Sequence, residues 1–200
     1  IRDRYESGIL PLQQFPIKGI IWYQGESNAH NREAHEKLFK LLVDSWRKNW
    51  EDNELPFYYV QLSSIDRPSW PWFRDSQRRF LTQIPHTGMA VTSDKGDSLN
   101  VHPTHKQEVG ERLAVWALNK TYNYKNVVPS GPLFKSVSFK NGAAYISFDY
   151  SEGLHASDNN EIRTFELSGD DQIFYPAKAA VVNGELKVCL LYTSPSPRDM

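Results

Sequence analysis

The 200 residues are 40% apolar and 24% charged, enough for one substantial globular domain with room for a small appendage. The formal net charge of −1, without a basic stripe or a Gly-rich phosphate loop, speaks against a nucleic-acid partner. No apolar run approaches the length of a membrane span, and Cys189 is the single cysteine, so intramolecular disulfides are excluded whatever the compartment.

In chain order, the first informative stretch is Ile17 to Ala29, where an apolar run stops abruptly at Gln24, Gly25, Glu26, Ser27 and Asn28. A short β-branched run of this kind predicts a strand buried on both faces that delivers a polar site at its end. Asn28 or Asn31 is placed to cap the next helix, predicted over Glu33 to Trp50, whose Ala34, Leu38, Leu41, Leu42, Trp46 and Trp50 recur at helical spacing. Leu55 to Leu62 predicts a strand, and Ser63 to Trp72 a proline-bearing loop. Arg74 to Thr82 predicts a short helix, Gly88 to Thr92 a strand, and Thr104 to Asn119 a helix opened by the capping-box pair Thr104 and Gln107. Alternating strands and helices imply a parallel sheet covered on both faces. The ends of its strands are expected to bring Gln24 and His102 together.

After Tyr122 the character changes. Val128 to Pro132 is a linker, and Asn141-Gly142 and Asn183-Gly184 are hairpin turns, the first between Phe134–Lys140 and Ala143–Tyr150. The expected organisation is an α/β domain over 1–127, the start of a β-rich accessory module over 128–188, and a tail over 189–200. That module, interrupted, is expected to lack partners for its edges. Cys189 to Asp199 resembles the translation of a transposase adapter used in preparing sequencing libraries, and is excluded from fold reasoning on that ground.

Two segments together carry a family resemblance. Trp22-Tyr23-Gln24-Gly25-Glu26-Ser27-Asn28, followed by the stretch from Val101-His102-Pro103 to Arg112-Leu113-Ala114, resembles the sialate O-acetylesterase family of SGNH-type serine esterases. The resemblance implies an SGNH, flavodoxin-like three-layer core, here incomplete, and removal of acetyl groups from sugar hydroxyls by a serine, a histidine base and an oxyanion hole. In the family the serine lies in an earlier Gly-x-Ser-Asn block. The chain opens at Ile1 without an initiator methionine, so the expectation is a fragment lacking that block and inactive as it stands. The resemblance also favours export to a bacterial periplasm or cell surface.

His102 is the expected base, since an imidazole titrates near neutrality and can pass a proton from nucleophile to leaving alcohol. Pro103 disfavours helical geometry at His102, leaving it on the lip of a loop. The acid partner is open. The position three before His102 is Leu99, where many SGNH hydrolases carry an aspartate. Asp97 and Asp94 are the nearest carboxylates, and each is also explained as a solvated loop residue or an Asx turn. By resemblance the Gln24 amide sits near the oxyanion, with Gly25 and Glu26 beside it; a buried, satisfied glutamine is the plainer explanation. Ser27 is an alternative nucleophile, because Gly25-Glu26-Ser27-Asn28 imitates a Gly-Asp-Ser-Leu block, although such a serine more often closes a turn.

No metal and no cofactor is expected. His30/His35 and His102/His105 lack His-Glu-x-x-His spacing, and His30, His35, His86 and His105 read as surface or capping residues. The six tryptophans read mainly as core anchors, with Trp70-Pro71-Trp72-Phe73 in a loop where rings either stack on a sugar or pack beneath it. The expected partner is an O-acetylated glycan, and the sequence sets no oligomeric state. The competing class is a noncatalytic carbohydrate-binding protein on the same fold.

Overall fold

The computed structural model describes residues 2–190, and the chain divides after Ser130 into two compact units. The first begins with helix α1 (Arg2–Gly8), followed by strand β1 (Ile20–Trp22), helix α2 (Arg32–Asn49), strand β2 (Phe57–Val60), helix α3 (Trp70–Gln83), strand β3 (Thr87–Ala90) and helix α4 (Lys106–Trp116). β1, β2 and β3 form a parallel sheet in that order, with Ile20 opposite Phe57 and Phe57 opposite Thr87. Helical crossovers are what parallel neighbours require.

One face of the sheet is covered by α2 and α3. Phe39 and Val43 of α2 and Phe80 of α3 pack with Phe57, Tyr59 and Met89, all nearly inaccessible. The Phe39 and Phe80 rings stack at 4.7 Å, and Phe57 and Tyr59 meet Phe39 edge-on. The opposite face carries α4. Its Trp116 lies on Tyr58 and Gly88 and donates its indole N–H to the Met89 carbonyl at 3.0 Å. A Cβ on Gly88 would come within 2.5 Å of that ring, so only glycine lets the indole lie against β3. This is the three-layer α/β arrangement that the alternation implied.

Several local expectations need correction. The buried stripe of α2 is His35, Phe39, Val43 and Arg47, spaced four apart, whereas Leu38 and Leu41 are exposed. The hydrophobic pattern has two apolar sides, and the aromatic core selects the one with Phe39. β1 is not buried on both faces: Ile21 is 70% exposed, because among the described residues α4 covers Tyr58 but not the neighbouring Ile21. α3 begins at Trp70 rather than Arg74, with Pro71 in its first turn, where a missing N–H costs nothing. Trp70 and Phe73 are therefore helical and buried, and of that run's aromatic rings Trp72 projects outward. α4 starts at Lys106 with His105 at its N-cap position and no side-chain cap; Thr104 contributes only its carbonyl, to the Lys106 N–H at 2.8 Å.

The second unit is a five-stranded antiparallel sheet of β4 (Leu133–Lys140), β5 (Ala143–Asp149), β6 (Ile162–Ser168), β7 (Phe174–Val182) and β8 (Glu185–Leu190), ordered β4-β5-β8-β7-β6. The turns at Asn141-Gly142 and Asn183-Gly184 both have positive φ at both residues, the conformation that Asn-Gly hairpins favour. Ala144, Ala179, Leu186 and Val188 form its small core. β8 runs two residues past Val188, with Cys189 opposite Ala143 and Leu190 opposite Ala177; the remainder of the adapter-like segment lies outside the described residues.

Candidate active site at the carboxyl ends of the parallel strands

Gln24, Ser63 and Ser93 follow the carboxyl ends of β1, β2 and β3, and His102 lies on the loop that joins β3 to α4. Such strand ends are where side chains can project clear of the sheet while a rigid core holds their backbone. Gly25 turns the chain sharply after β1, at φ +152°. It is buried, and a Cβ there would lie 3.1 Å from the Phe73 ring and 3.4 Å from Leu62. Glu26, Ser27 and Asn28 then form one 3-10 turn, and Asn31 caps α2 by accepting from the Ala34 N–H at 3.1 Å.

Within this turn the side chains of Gln24 and Glu26 already have partners. The Gln24 side-chain N–H donates to Asn28 Oδ1 at 2.6 Å, and the Gly25 N–H donates to Glu26 Oε2 at 3.1 Å. Gln24 is exposed rather than the buried glutamine of the plainer explanation. Ser27 is exposed too, and among the described residues no histidine hydrogen-bonds to it.

The His102 loop is built from consecutive side-chain-to-backbone bonds. Asp97 Oδ1 accepts the N–H groups of Leu99 at 2.7 Å and Asn100 at 3.1 Å, and Asn100 Oδ1 accepts the His102 N–H at 2.9 Å. These are Asx turns, the structural role open to Asp97 from the sequence. They hold the His102 backbone while its imidazole stays exposed, with no carboxylate partner among the described residues. Asp94 faces elsewhere, in a two-pronged pair with Arg112 at 2.6 and 2.7 Å. Arg112 also donates to the Val91 carbonyl at 2.5 Å, so this ion pair ties the exit of β3 to α4. The Arg112 hydrogen bonds hold the Asp94 carboxyl below its ordinary value. Lys95, Glu108 and His105 form a further cluster, with Glu108 Oε1 at 3.4 Å from the Lys95 Nζ and 3.2 Å from the His105 Nδ1.

One contact joins the two halves of the site. The Lys106 ammonium lies 4.4 Å from the centroid of the Tyr23 ring, linking the residue before Gln24 to the first turn after His102. Beside it, a cavity of about 120 Å³ is lined by Asp97, Asn100, His102, Pro103 and His105 among others. Among the described residues no group of three or more His, Cys, Asp or Glu side chains is arranged to hold a metal ion.

A family model described as carbohydrate esterase, sialic acid-specific acetylesterase, matches residues 5–119. The chain belongs to this family. Among curated relatives of this esterase-family chain, the sialate O-acetylesterase of Mus musculus is 33% identical over 184 residues, covering 80% of the chain and 34% of the relative. The sialate O-acetylesterase of Homo sapiens is 28% identical over 182 residues, covering 80% and 35%. The chain thus spans about a third of the length of these curated relatives. A solved carbohydrate acetylesterase from Xanthomonas citri superposes with a TM-score of 0.84 at 36% identity, over 93% of this chain and 45% of that one.

Three site features escaped the sequence reading. His35, expected at the surface, is 3% exposed and lies against Phe39, Phe73 and Phe80, with burial pushing its imidazole down to about 4. Gln77, buried on the same stripe as Phe73 and Phe80, donates to the Val60 carbonyl at 3.2 Å and accepts the Leu62 N–H at 2.9 Å, fixing where β2 ends. Arg112 anchors the His102 loop through Asp94. Gln77 was the one open to discovery, because it lies four residues after Phe73 on a helix whose apolar side repeats at that spacing.

Proposed function

We propose that this chain carries the histidine side of a carbohydrate O-acetylesterase site that releases acetate from O-acetylated sugars. The observation that carries the reading is the Tyr23–Lys106 contact, which joins the Gln24 turn and the His102 loop at one end of the parallel sheet. In this scheme a serine hydroxyl attacks the acetyl carbonyl while His102 takes its proton. The same imidazole then gives that proton to the departing sugar oxygen, and water, deprotonated by His102, releases acetate from the acyl-serine. Gln24, turned from Asn28, would donate to the carbonyl oxygen as charge gathers on it. The serine is that of the Gly-x-Ser-Asn block implied by the resemblance; Ser27, without an imidazole partner among the described residues, is the weaker choice.

Asp94 is held by Arg112 and Asp97 by its own turn, so neither is assigned as the triad acid; both shape the loop. The exposed imidazole, without a carboxylate partner among the described residues, is the observation that favours the second reading, a noncatalytic carbohydrate-binding protein. Export to a periplasm or cell surface is proposed with the esterase reading. Acetate release from acetylated sialic acid and acetylated xylan, measured on the product of the whole gene with and without His102→Ala, tests both. Loss of about 100-fold or more in the folded variant supports His102 as base. Unchanged release removes it from the mechanism, and sugar binding without acetate release favours the binding protein.

A further inference from the structure

Of the cations that border the His102 loop, Lys106 is placed unlike the rest. Lys95 and His105 meet Glu108, and Arg112 grips Asp94, so each of those groups faces a carboxylate. Lys106 has no carboxylate partner among the described residues, and its ammonium sits over the Tyr23 ring instead, 4.4 Å from the centroid. Its place on the helix sharpens the contrast. Lys106 is the first residue of α4, where a positive charge opposes the helix dipole, and the same turn carries Glu108, whose sign suits it. Helix stability therefore gives no reason for a lysine at that point, whereas the ring does.

The ring needs the cation in turn. The Tyr23 hydroxyl is shut off from solvent and has no hydrogen-bond partner among the described residues, so the phenol is not anchored at its tip. Burial, and after it the Glu26 carboxylate, push the phenol above its ordinary value; the ring stays neutral and keeps the electron-rich face on which an ammonium rests. Tyr23 lies between the end of β1 and Gln24, while Lys106 comes four residues after His102, with the buried Pro103 between them. Gln24 itself is exposed, so its backbone is held on one side by the Tyr23 ring and on the other by the buried Gly25.

We propose that Lys106 is a positioning residue for the reaction: through the Tyr23 ring it sets the Gln24 amide against the His102 imidazole, and it does not itself touch the sugar. The inference rests on the carbohydrate-esterase reading. Lys106→Met keeps the aliphatic stem and removes the charge. In the product of the whole gene, acetate release by this variant should fall about tenfold or more in kcat, because a small displacement of a catalytic group costs rate steeply, with KM within about twofold of wild type. Lys106→Arg should recover most of the loss, since a guanidinium also takes the face of a ring. Tyr23→Leu should lose as much as Lys106→Met, and the double variant no more than either, because both break one contact.

An unchanged kcat in Lys106→Met, a loss carried by KM, no recovery with arginine, or losses that multiply in the double variant overturns the proposal. A second readout covers variants that fail to fold: in the wild-type chain the Lys106 Cε protons should resonate upfield of those of the other lysines, under the ring current of Tyr23. Ordinary shifts overturn the proposal whatever the rates. Acetate release by the wild-type enzyme is scored separately. Upfield shifts without release remove the esterase reading and leave Lys106 joining the two halves of a binding site, whereas release with ordinary shifts does the reverse.

Discussion

Acidification from pH 7 to pH 4 should destabilise the first unit through His35. The ring is packed against Phe39, Phe73 and Phe80, with Phe73 closest at 4.6 Å between centroids, and burial among these rings takes a positive charge out of water. Its pKa falls from 6.5 to about 4 on folding. The unfolded chain therefore binds a proton that the folded chain refuses. The stabilisation of the neutral form is complete above 6.5 and is lost progressively as the pH falls from there to about 4. At ~1.4 kcal/mol per pH unit this amounts to about 3 kcal/mol, trimmed to about 2 by solvent relaxation. All six tryptophans lie before Ser130, so urea unfolding followed by tryptophan emission reports this unit. His35→Leu keeps an apolar side chain at the site and removes the titration. Wild type should lose about 2 kcal/mol more than the variant between the two pH values, while the carboxylates common to both cancel. Equal losses in the two proteins would refute the argument that the buried imidazole is the acid-sensitive group.

Gly25→Ala should cost about 2–3 kcal/mol, because it combines an unfavourable backbone conformation with crowding of Phe73, and a melting temperature within a degree or two of wild type would show the turn to be compliant. Asp94→Asn should cost about 0.5–1 kcal/mol, the pair being half exposed, and Asp94→Ala with Arg112→Ala in a double-mutant cycle should show coupling of similar size; additivity would remove the anchor role. Limited proteolysis should cut within Leu133–Val188 before it cuts the first unit, since the second unit's core is small and β4 and β6 are the edge strands of its sheet among the described residues. Equal survival of both units would overturn that expectation.

Certain features were determined by local chemistry, and the sequence alone exposed them. Asn-Gly at 141–142 and 183–184 forces tight hairpins because those residues tolerate positive φ, and the observed turns sit on those pairs. The β2 run from Leu55 and the abrupt apolar-to-polar change at Gln24 announced strands with a polar end, and α2 fell within one residue of its expected bounds. Asn31 supplied its cap, one of the two asparagines open to that role.

Tertiary packing decided the rest. Leu38 and Phe39 are adjacent in sequence and equally apolar, yet only Phe39 meets the ring cluster of Phe57, Tyr59 and Phe80, so helical spacing could not rank them. β5 finds its second partner in β8, with Ala143 opposite Cys189, a pairing of residues far apart in the chain that no local turn signal announces. The roles of Asp94 and Asp97 separated for the same reason. Asp97 acts on amides two and three residues away, a local event open to sequence reasoning, whereas Asp94 is claimed by Arg112, eighteen residues downstream on a helix that packs across the sheet. Short-range hydrogen bonding is written in neighbouring residues; which charges meet across the core is fixed only when the helices dock.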